Sequence, residues 1–577
     1  MKKYTLVLIS LILISLNVQG QYKAITGATL INTDGSKSIP NATILINGNK
    51  IERVGKAKKV KIPEGAEIID AQGKWVIPGI IDAHVHFFQS GGLYTRPDAI
   101  DLTAVRPYKE EEVKWIKDNL DRTFARYIKC GITSAVDVGG PLWNTEVKKL
   151  ANSKDLAPRL AVAGPLLSTV SREILDAGDP PIVKVTSVEE GKAIISKQKE
   201  LGMDLIKIWY VIPRGDTPET NFNLVKGWID ESHKQGFRVA VHATQLETAK
   251  AAVRAGADIL VHSVDDKPVD KEFIDMVKQN DVIYTTSMVV QEGYPEVFFQ
   301  QVSLTLQEHQ LGDEQVTKTF FDLREIPEDK IPERIKGLMA RDEPFNRNKV
   351  MLSNLKKMTE AGVVVAMGTD AGNIGTLHGP SVFREFELMT EAGLSPQQIL
   401  IDATLNSAKV MGRDSELGTI EAGKLADLVI LNANPLDDIM NTSNIHTVVK
   451  DGKVFKPEDI LKPTPQEVVQ RQVNAYNARN LDAFLATYTD DVMIYEHPNT
   501  LLVNGRDEMI ARYTERFKSK KLHAEILDRI VSARRVIDKE RVTGRDDGQI
   551  VNAVAIYEVN EEGLIYKVWF IKKQPEE

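Results

Sequence analysis

Short apolar runs alternate along most of the chain with longer stretches whose apolar positions recur every three to four residues. Eight such runs follow one another, at residues 75–86, 131–139, 159–168, 205–210, 238–243, 259–264, 282–288 and 363–370. Continuous apolar runs bounded by Gly, His, Asp or Ser predict strands buried on both faces. Segments 110–130, 188–201, 223–235, 244–255 and 270–279 carry the helical period between them. Strands alternating with helices imply parallel pairing, and eight repeats suit closure into a barrel, with an open doubly wound sheet as the competing topology.

The pattern differs at both ends. Segments 24–32, 42–46 and 51–55 read as short strands, with Asn47-Gly48-Asn49 as a tight turn between the last two. Strand-like runs return at 418–420, 427–431 and 447–454, placed to complete that first β-layer with the barrel inserted between its halves. Segment 291–347, between the seventh and eighth runs, is long, polar and partly helical. It reads equally as a wall over the barrel mouth or as a solvated excursion. Lys462-Pro463-Thr464-Pro465 marks a boundary, after which helices at 466–479, 481–488 and 506–517 and long strands to Ile571 make one α+β unit. The expected architecture is α/β: a (β/α)₈ TIM barrel (78–413) in a small composite β-sandwich (21–77 and 414–463), then an α+β domain (464–577).

The N-terminus adds a compartment. Lys2 and Lys3 precede an almost wholly apolar run over 6–16, and Val18-Gln19-Gly20 puts small or aliphatic residues before Gln21. This is the pattern of a secretory signal peptide over residues 1–20. The run is shorter than the ~20 residues of a membrane span. The expectation is export to the periplasm or the outside, with no stable membrane insertion after cleavage. The net charge of -8 and the lack of a long basic block argue against a nucleic-acid partner. Cys130 is the single cysteine, which excludes an intrachain disulfide and a thiolate-rich metal site.

Candidate chemistry collects at the ends of the predicted strands. His84 and His86 lie in Asp82-Ala83-His84-Val85-His86. Alternate residues of a strand share a face, so both imidazoles point into the mouth, where they can chelate a cation such as Zn²⁺. Lys207 interrupts the apolar run 204–209. Burial would lower its pKa and leave a reactive amine, whereas at a strand end it would snorkel to water. His242 and His262 end the fifth and sixth runs, and Asp370 ends the eighth in Gly368-Thr369-Asp370-Ala371-Gly372. A buried Asp there needs a partner: a metal with its water, or the N–H groups of a following helix. Tyr210, Tyr284 and Arg214 lie near strand ends and are open to substrate contact without any spacing that singles them out.

These motifs, with Leu417-Gly418-Thr419-Ile420-Glu421-Ala422-Gly423-Lys424-Leu425-Ala426-Asp427, resemble the amidohydrolase superfamily over residues 22–460, in particular its imidazolonepropionase-like and Xaa-Pro dipeptidase-like branch. The resemblance implies His84, His86 and Asp370 on one divalent metal, most often Zn²⁺. It implies His242 and His262 on a second, and carboxylated Lys207 between them. It further implies that Asp370 acts as general base and acid while a metal-activated hydroxide attacks the carbonyl of a small amide or dipeptide. His378, in Thr376-Leu377-His378-Gly379-Pro380, resembles a segment near the family's substrate entrance and is a weak substrate-contact candidate. Ala475-Tyr476-Asn477-Ala478-Arg479-Asn480-Leu481, Tyr488-Thr489-Asp490-Asp491-Val492 and Asn504-Gly505-Arg506-Asp507-Glu508 resemble a cone-shaped SnoaL-like domain, whose members include catalytic, ligand-binding and dimer-forming modules. Glu496 and His497 are candidates to line the cone, and a homo-oligomer is compatible with such a module. The same chemistry extends to lactones and other esters, and a secreted small-ligand binding protein is the non-enzymatic alternative.

Overall fold

The computed structural model describes residues 22–341 and 343–572, so the predicted signal segment lies outside the described residues. Three strand systems organise the chain. The first draws on segments before and after the parallel strands. Its path runs Lys453–Phe455, Ile445–Lys450, Leu428–Leu431, Trp75–Pro78, Tyr22–Leu30, Ile39–Asn47 and Lys50–Lys56, with Glu67–Asp70 also paired to Tyr22–Leu30. The expected sandwich is thus one continuous sheet of eight strands. Its central joint is antiparallel, Leu428 opposite Pro78 and Leu431 opposite Trp75.

The first long apolar run of the sequence is two strands rather than one. Trp75–Pro78 belongs to the composite sheet, and Ile80–Val85 to the parallel system. Gly79 is the pivot: its N–H donates to Asp427 O at 2.8 Å. A β-carbon there would lie 2.0 Å from Thr133 Oγ1, so only glycine allows this approach.

The second system is parallel throughout. Ile80–Val85, Ile132–Asp137 and Arg159–Val162 form one set. Ile182–Lys184, Leu166–Ser168, Ile206–Trp209, Val239–His242, Ile259–Leu260, Ile283–Thr285 and Val365–Ala366 form the other, in that spatial order. Hydrogen bonds join the sets at one seam, from Ala83 N to Met367 O (3.0 Å), Asp370 N to His84 O (2.7 Å) and His86 N to Ala371 O (2.8 Å). Asp204 N to Val162 O (2.8 Å) joins them at the other. Small and β-branched side chains such as Ala83, Val136, Ala161, Ala240, Val261 and Ala366 pack inside. Helices cover the outer faces, with Trp228, Ile229 and Phe273 fully buried against the strands.

Two helix boundaries depart from expectation. The segment 110–130 breaks at Asn119 into Lys114–Asp118 and Leu120–Lys129, preceded by a π-turn over Tyr108–Val113. The helix expected over 223–235 starts earlier, as Pro218–Lys234, because Thr217 and Thr220 form a capping box and Pro218 takes the first turn, where its missing N–H costs nothing.

Segment 291–347 folds into short helices, including Val290–Phe298, Leu306–Leu311, Glu314–Thr319 and Glu333–Met339. They enclose an apolar cluster with Leu93, Ile100, Phe320, Phe321 and Leu377. The same segment carries the C-terminal unit. Asn474 Nδ2 donates to Glu314 O (2.8 Å), Asn480 Nδ2 to Leu304 O (3.1 Å), and His523 Nε2 meets Glu325 Oε1 (3.0 Å). That unit is a six-stranded sheet ordered Thr500–Asn504, Tyr488–Glu496, Ile565–Lys572, Val551–Val559, Arg535–Thr543, His523–Ser532, with helices Pro465–Ala478, Leu481–Leu485 and Arg506–Arg516.

Candidate metal centre

Four of the residues singled out in the sequence converge closely. His84 Nε2 and His86 Nε2 each lie 3.2 Å from Asp370 Oδ1, and His262 Nε2 lies 4.0 Å from Asp370 Oδ2. Ligand atoms of His84, His262 and Asp370 all fall within 4.8 Å of one another. The His242 ring stacks edge-on to His262 at 4.4 Å, which places it one position further out.

The orientation of the imidazoles is set by their other nitrogens. His84 Nδ1 contacts Val261 O and Ser287 Oγ, both at 2.8 Å, and His86 Nδ1 contacts Gly139 O at 2.6 Å. A carbonyl only accepts, so Nδ1 carries the hydrogen in both rings and Nε2 of each faces Asp370. Burial holds His84 and His262 far below the usual histidine range and His242 down to about 3, so the three are neutral donors rather than cations. His84 Nε2 and His262 Nδ1 are buried without a hydrogen-bond partner. Neutral nitrogens with spare lone pairs around a carboxylate fit a divalent cation of the zinc type.

Local structure makes this meeting possible. Asp82 staples the His-Val-His strand to the turn after the Val365–Ala366 strand: its Oδ2 accepts from Thr369 Oγ1 at 2.6 Å and its Oδ1 from Thr369 N at 3.0 Å. Asp370 stands four residues beyond the Val365–Ala366 strand with φ of +62°, so a left-handed turn, and not the strand itself, aims the carboxylate. Gly368 is obligatory, because a β-carbon there would sit 2.7 Å from that of His84. Asp137 supports His86 from behind by accepting from Gly139 N (3.1 Å) and Phe87 N (2.9 Å).

Lys207 is 1% exposed, on the Ile206–Trp209 strand, and lines the cavity beside the histidines. Among the described residues no carboxylate lies within ion-pair distance of its amine, and burial pulls its pKa down to about 7. The snorkelling alternative therefore does not describe this side chain.

The cavity measures about 260 Å³. Leu166, Leu175, Ile182 and Trp209 give it an apolar wall, and Arg96, Gln291 and Tyr294 a polar one. Segment 291–347 thus contributes to the wall of the site. Arg96 is held by a two-pronged contact to Asp98 (2.7 Å each) and donates from Nη1 to Asn373 Oδ1 at 2.7 Å. Tyr294 donates to the same Asn373 oxygen at 2.8 Å, and Asn373 Nδ2 donates to Asp370 Oδ1 at 2.8 Å. Arg96 and Tyr294 were not legible as site residues; the only signal was an Arg-Pro-Asp sequence in the loop after the first strand.

The three weaker substrate candidates are placed elsewhere, and that reading is corrected. Tyr210 donates its hydroxyl to Pro218 O, and the Tyr284 hydroxyl accepts from Val264 N at 2.5 Å; both rings are buried between the parallel strands and their covering helices, where strand-end tyrosines cap backbone groups. His378 stacks on Phe87 at 5.2 Å and spends both nitrogens, on Tyr127 Oη (2.9 Å) and Gln89 O (2.8 Å). It braces the loop after the His-Val-His strand and does not line the cavity beside the histidines. Arg214 does not line it either.

Comparison with known proteins agrees with this architecture. The amidohydrolase family matches residues 75–455 and a SnoaL-like domain matches residues 469–568. Guanine deaminase of Escherichia coli K12 is 24% identical over 421 residues, covering 71% of this chain and 86% of its own. Imidazolonepropionase of Caldanaerobacter subterraneus subsp. tengcongensis is 23% identical over 466 residues, covering 75% and 95%. A Xaa-Pro dipeptidase structure with bound methionine in the active site aligns with a TM-score of 0.57 at 24% identity, covering 75% of this chain and all of that one (100%). Ochratoxinase of A. niger aligns with a TM-score of 0.57 at 22% identity, covering 76% and 96%. At these identities the structural likeness is one of fold. The chain belongs to the amidohydrolase family and carries a SnoaL-like domain at its C-terminal side.

Proposed function

We propose that the protein hydrolyses the amide or peptide C–N bond of a small substrate at a divalent metal centre, zinc by its donor set, in the mouth of a closed (β/α)₈ barrel. The observation that carries this reading is the convergence of His84 Nε2 and His86 Nε2 on one oxygen of Asp370 inside a cavity. The two hydrogen-bonded seams support the barrel. His84, His86 and Asp370 would hold one metal, and His242 and His262 a second. Lys207 would lie between them as a carbamate, formed when its neutral amine adds to carbon dioxide and releases a proton. When bound, the metal polarises the scissile carbonyl and lowers the pKa of a water molecule. Asp370 accepts the proton of the attacking water and returns it to the leaving nitrogen. The wall of Leu166, Ile182 and Trp209 receives an apolar side group and keeps water away from it.

We place the reaction outside the cytoplasm on the strength of the residues 1–20 pattern. N-terminal sequencing of the mature chain from cell fractions tests this, and an intact Met1 in the cytosolic fraction would refute it. The activity is tested on the chain from Gln21 onward, with metal analysis and a screen of dipeptides (Xaa-Pro included), cyclic amides and lactones. Hydrolysis of amides with bound metal is expected. A chain that takes up no metal and cleaves nothing after reconstitution would overturn the proposal, and cleavage of lactones alone would move it to ester chemistry.

A further inference from the structure

The C-terminal unit encloses a second cavity of about 290 Å³. Val473, Leu502, Val542 and Phe570 give it carbon surface. Glu496 and His497, expected at such a place, do not line it; His497 is exposed on the strand-end turn. Arg512 and Arg516, one turn apart on the Arg506–Arg516 helix, both reach the cavity. A third arginine there, Arg545, is already paired with Asp547. Arg512 and Arg516 have no carboxylate within ion-pair distance among the described residues, and Arg516 lies over the Tyr513 ring at 5.8 Å.

Like charges four apart on a helix repel, and the burden grows as water is removed. Arg512 Nε is buried without a hydrogen-bond partner, and so is Oε1 of Gln472, a side chain only 6% exposed. The one acid in the cavity, Glu540, is committed to the Tyr557 hydroxyl at 2.6 Å. A pocket that combines spare guanidinium donors with aliphatic and aromatic carbon is complementary to a molecule with an anionic head and an apolar body.

We propose that this cavity is a binding site for a small amphiphilic carboxylate, its head held between Arg512 and Arg516 and its body against Leu502 and Phe570. This site is separate from the metal centre and does not depend on the reaction proposed there. The Gln472 oxygen would accept from a hydroxyl or amide N–H on the ligand body.

The test is calorimetric titration of the full chain with 2-naphthoate and with the neutral 2-naphthalenemethanol. The chain carries His86→Asn and is treated with chelator, so that no metal in the barrel mouth takes up the carboxylate. One naphthoate per chain is expected, with the alcohol about tenfold weaker or worse. The double variant Arg512→Gln/Arg516→Gln should weaken naphthoate by about tenfold or more, while Arg534→Gln, on the outer surface and paired with Glu561, should leave it unchanged. Equal binding of acid and alcohol would overturn the proposal without recourse to any arginine variant. Undiminished binding by the double variant, or no saturable binding at millimolar naphthoate, would overturn it as well.

Discussion

Asn373 donates from Nδ2 to Oδ1 of Asp370 at 2.8 Å, and its own Oδ1 accepts from both Arg96 and Tyr294. Those two donors fix which end of the amide faces the carboxylate. Asn373→Ala should therefore lower kcat/KM by about 10- to 100-fold, the worth of one hydrogen bond to a charged group. Metal content and thermal midpoint should change little. Steady-state kinetics beside metal analysis check this, and an unchanged kcat/KM would remove Asn373 from the machinery.

Lys207 supplies a second prediction. Lys207→Ala should release one metal per chain, and short carboxylates such as formate or acetate should restore part of the activity by occupying the vacated space. Lys207→Met, which keeps the packing volume, should show the same metal loss. An unaltered metal stoichiometry in both variants would contradict a bridging role.

Two glycine substitutions should have opposite outcomes. Gly368→Ala forces a β-carbon to within 2.7 Å of the His84 β-carbon and 2.8 Å of Thr285 Cγ2. Overpacking of that kind costs about 1–3 kcal/mol, and here it also displaces a proposed metal ligand. Both the thermal midpoint and the bound metal should fall. Gly337, in the Glu333–Met339 helix, has nothing within 4 Å of its added β-carbon. Gly337→Ala should raise stability by up to about 1 kcal/mol with metal content untouched. Thermal denaturation of both variants decides the matter.

Asp402 gives a pH dependence of stability. Its Oδ1 accepts from Gln398 Nε2 (2.8 Å) and Asn406 Nδ2 (3.0 Å), its Oδ2 is buried without a partner, and burial raises its pKa to about 8. The native state therefore holds a proton that the unfolded chain releases above its ordinary value of 3.8. This group's contribution to stability is fully present below that value and is lost progressively as pH rises toward 8. Asp402→Asn, with the same shape and no proton to lose, should gain stability relative to the parent between pH 5 and 8, with the gain vanishing near pH 4. Denaturant titrations across that range check the sign.

The candidate metal site was legible where strand periodicity speaks directly. His84 and His86 are two residues apart, and an apolar run carries both to the same side. His242, His262 and Asp370 were legible as polar residues ending such runs. The support behind them was not. Arg96 meets Asn373 across 277 positions, and Asp82 meets Thr369 across 287, so nothing local announces either contact. Tyr210 and Tyr284 show the reverse error, because a tyrosine at a strand end looks the same in sequence whether its hydroxyl faces a ligand or a backbone group. The break at Gly79 was hidden because Trp75–Pro78 and Ile80–Val85 are equally apolar, and only their partners differ.

That break has a consequence for how the chain can be cut. Trp75–Pro78 and Leu428–Leu431 enter and leave the catalytic segment as neighbours in one antiparallel ladder, so the two ends of that segment are buttoned to each other. Trimming the chain to the catalytic segment alone would unfasten both ends at once. The SnoaL-like unit instead follows Lys453–Phe455, the outermost strand of that ladder's sheet, where a module can be appended or exchanged while the fastening stays closed.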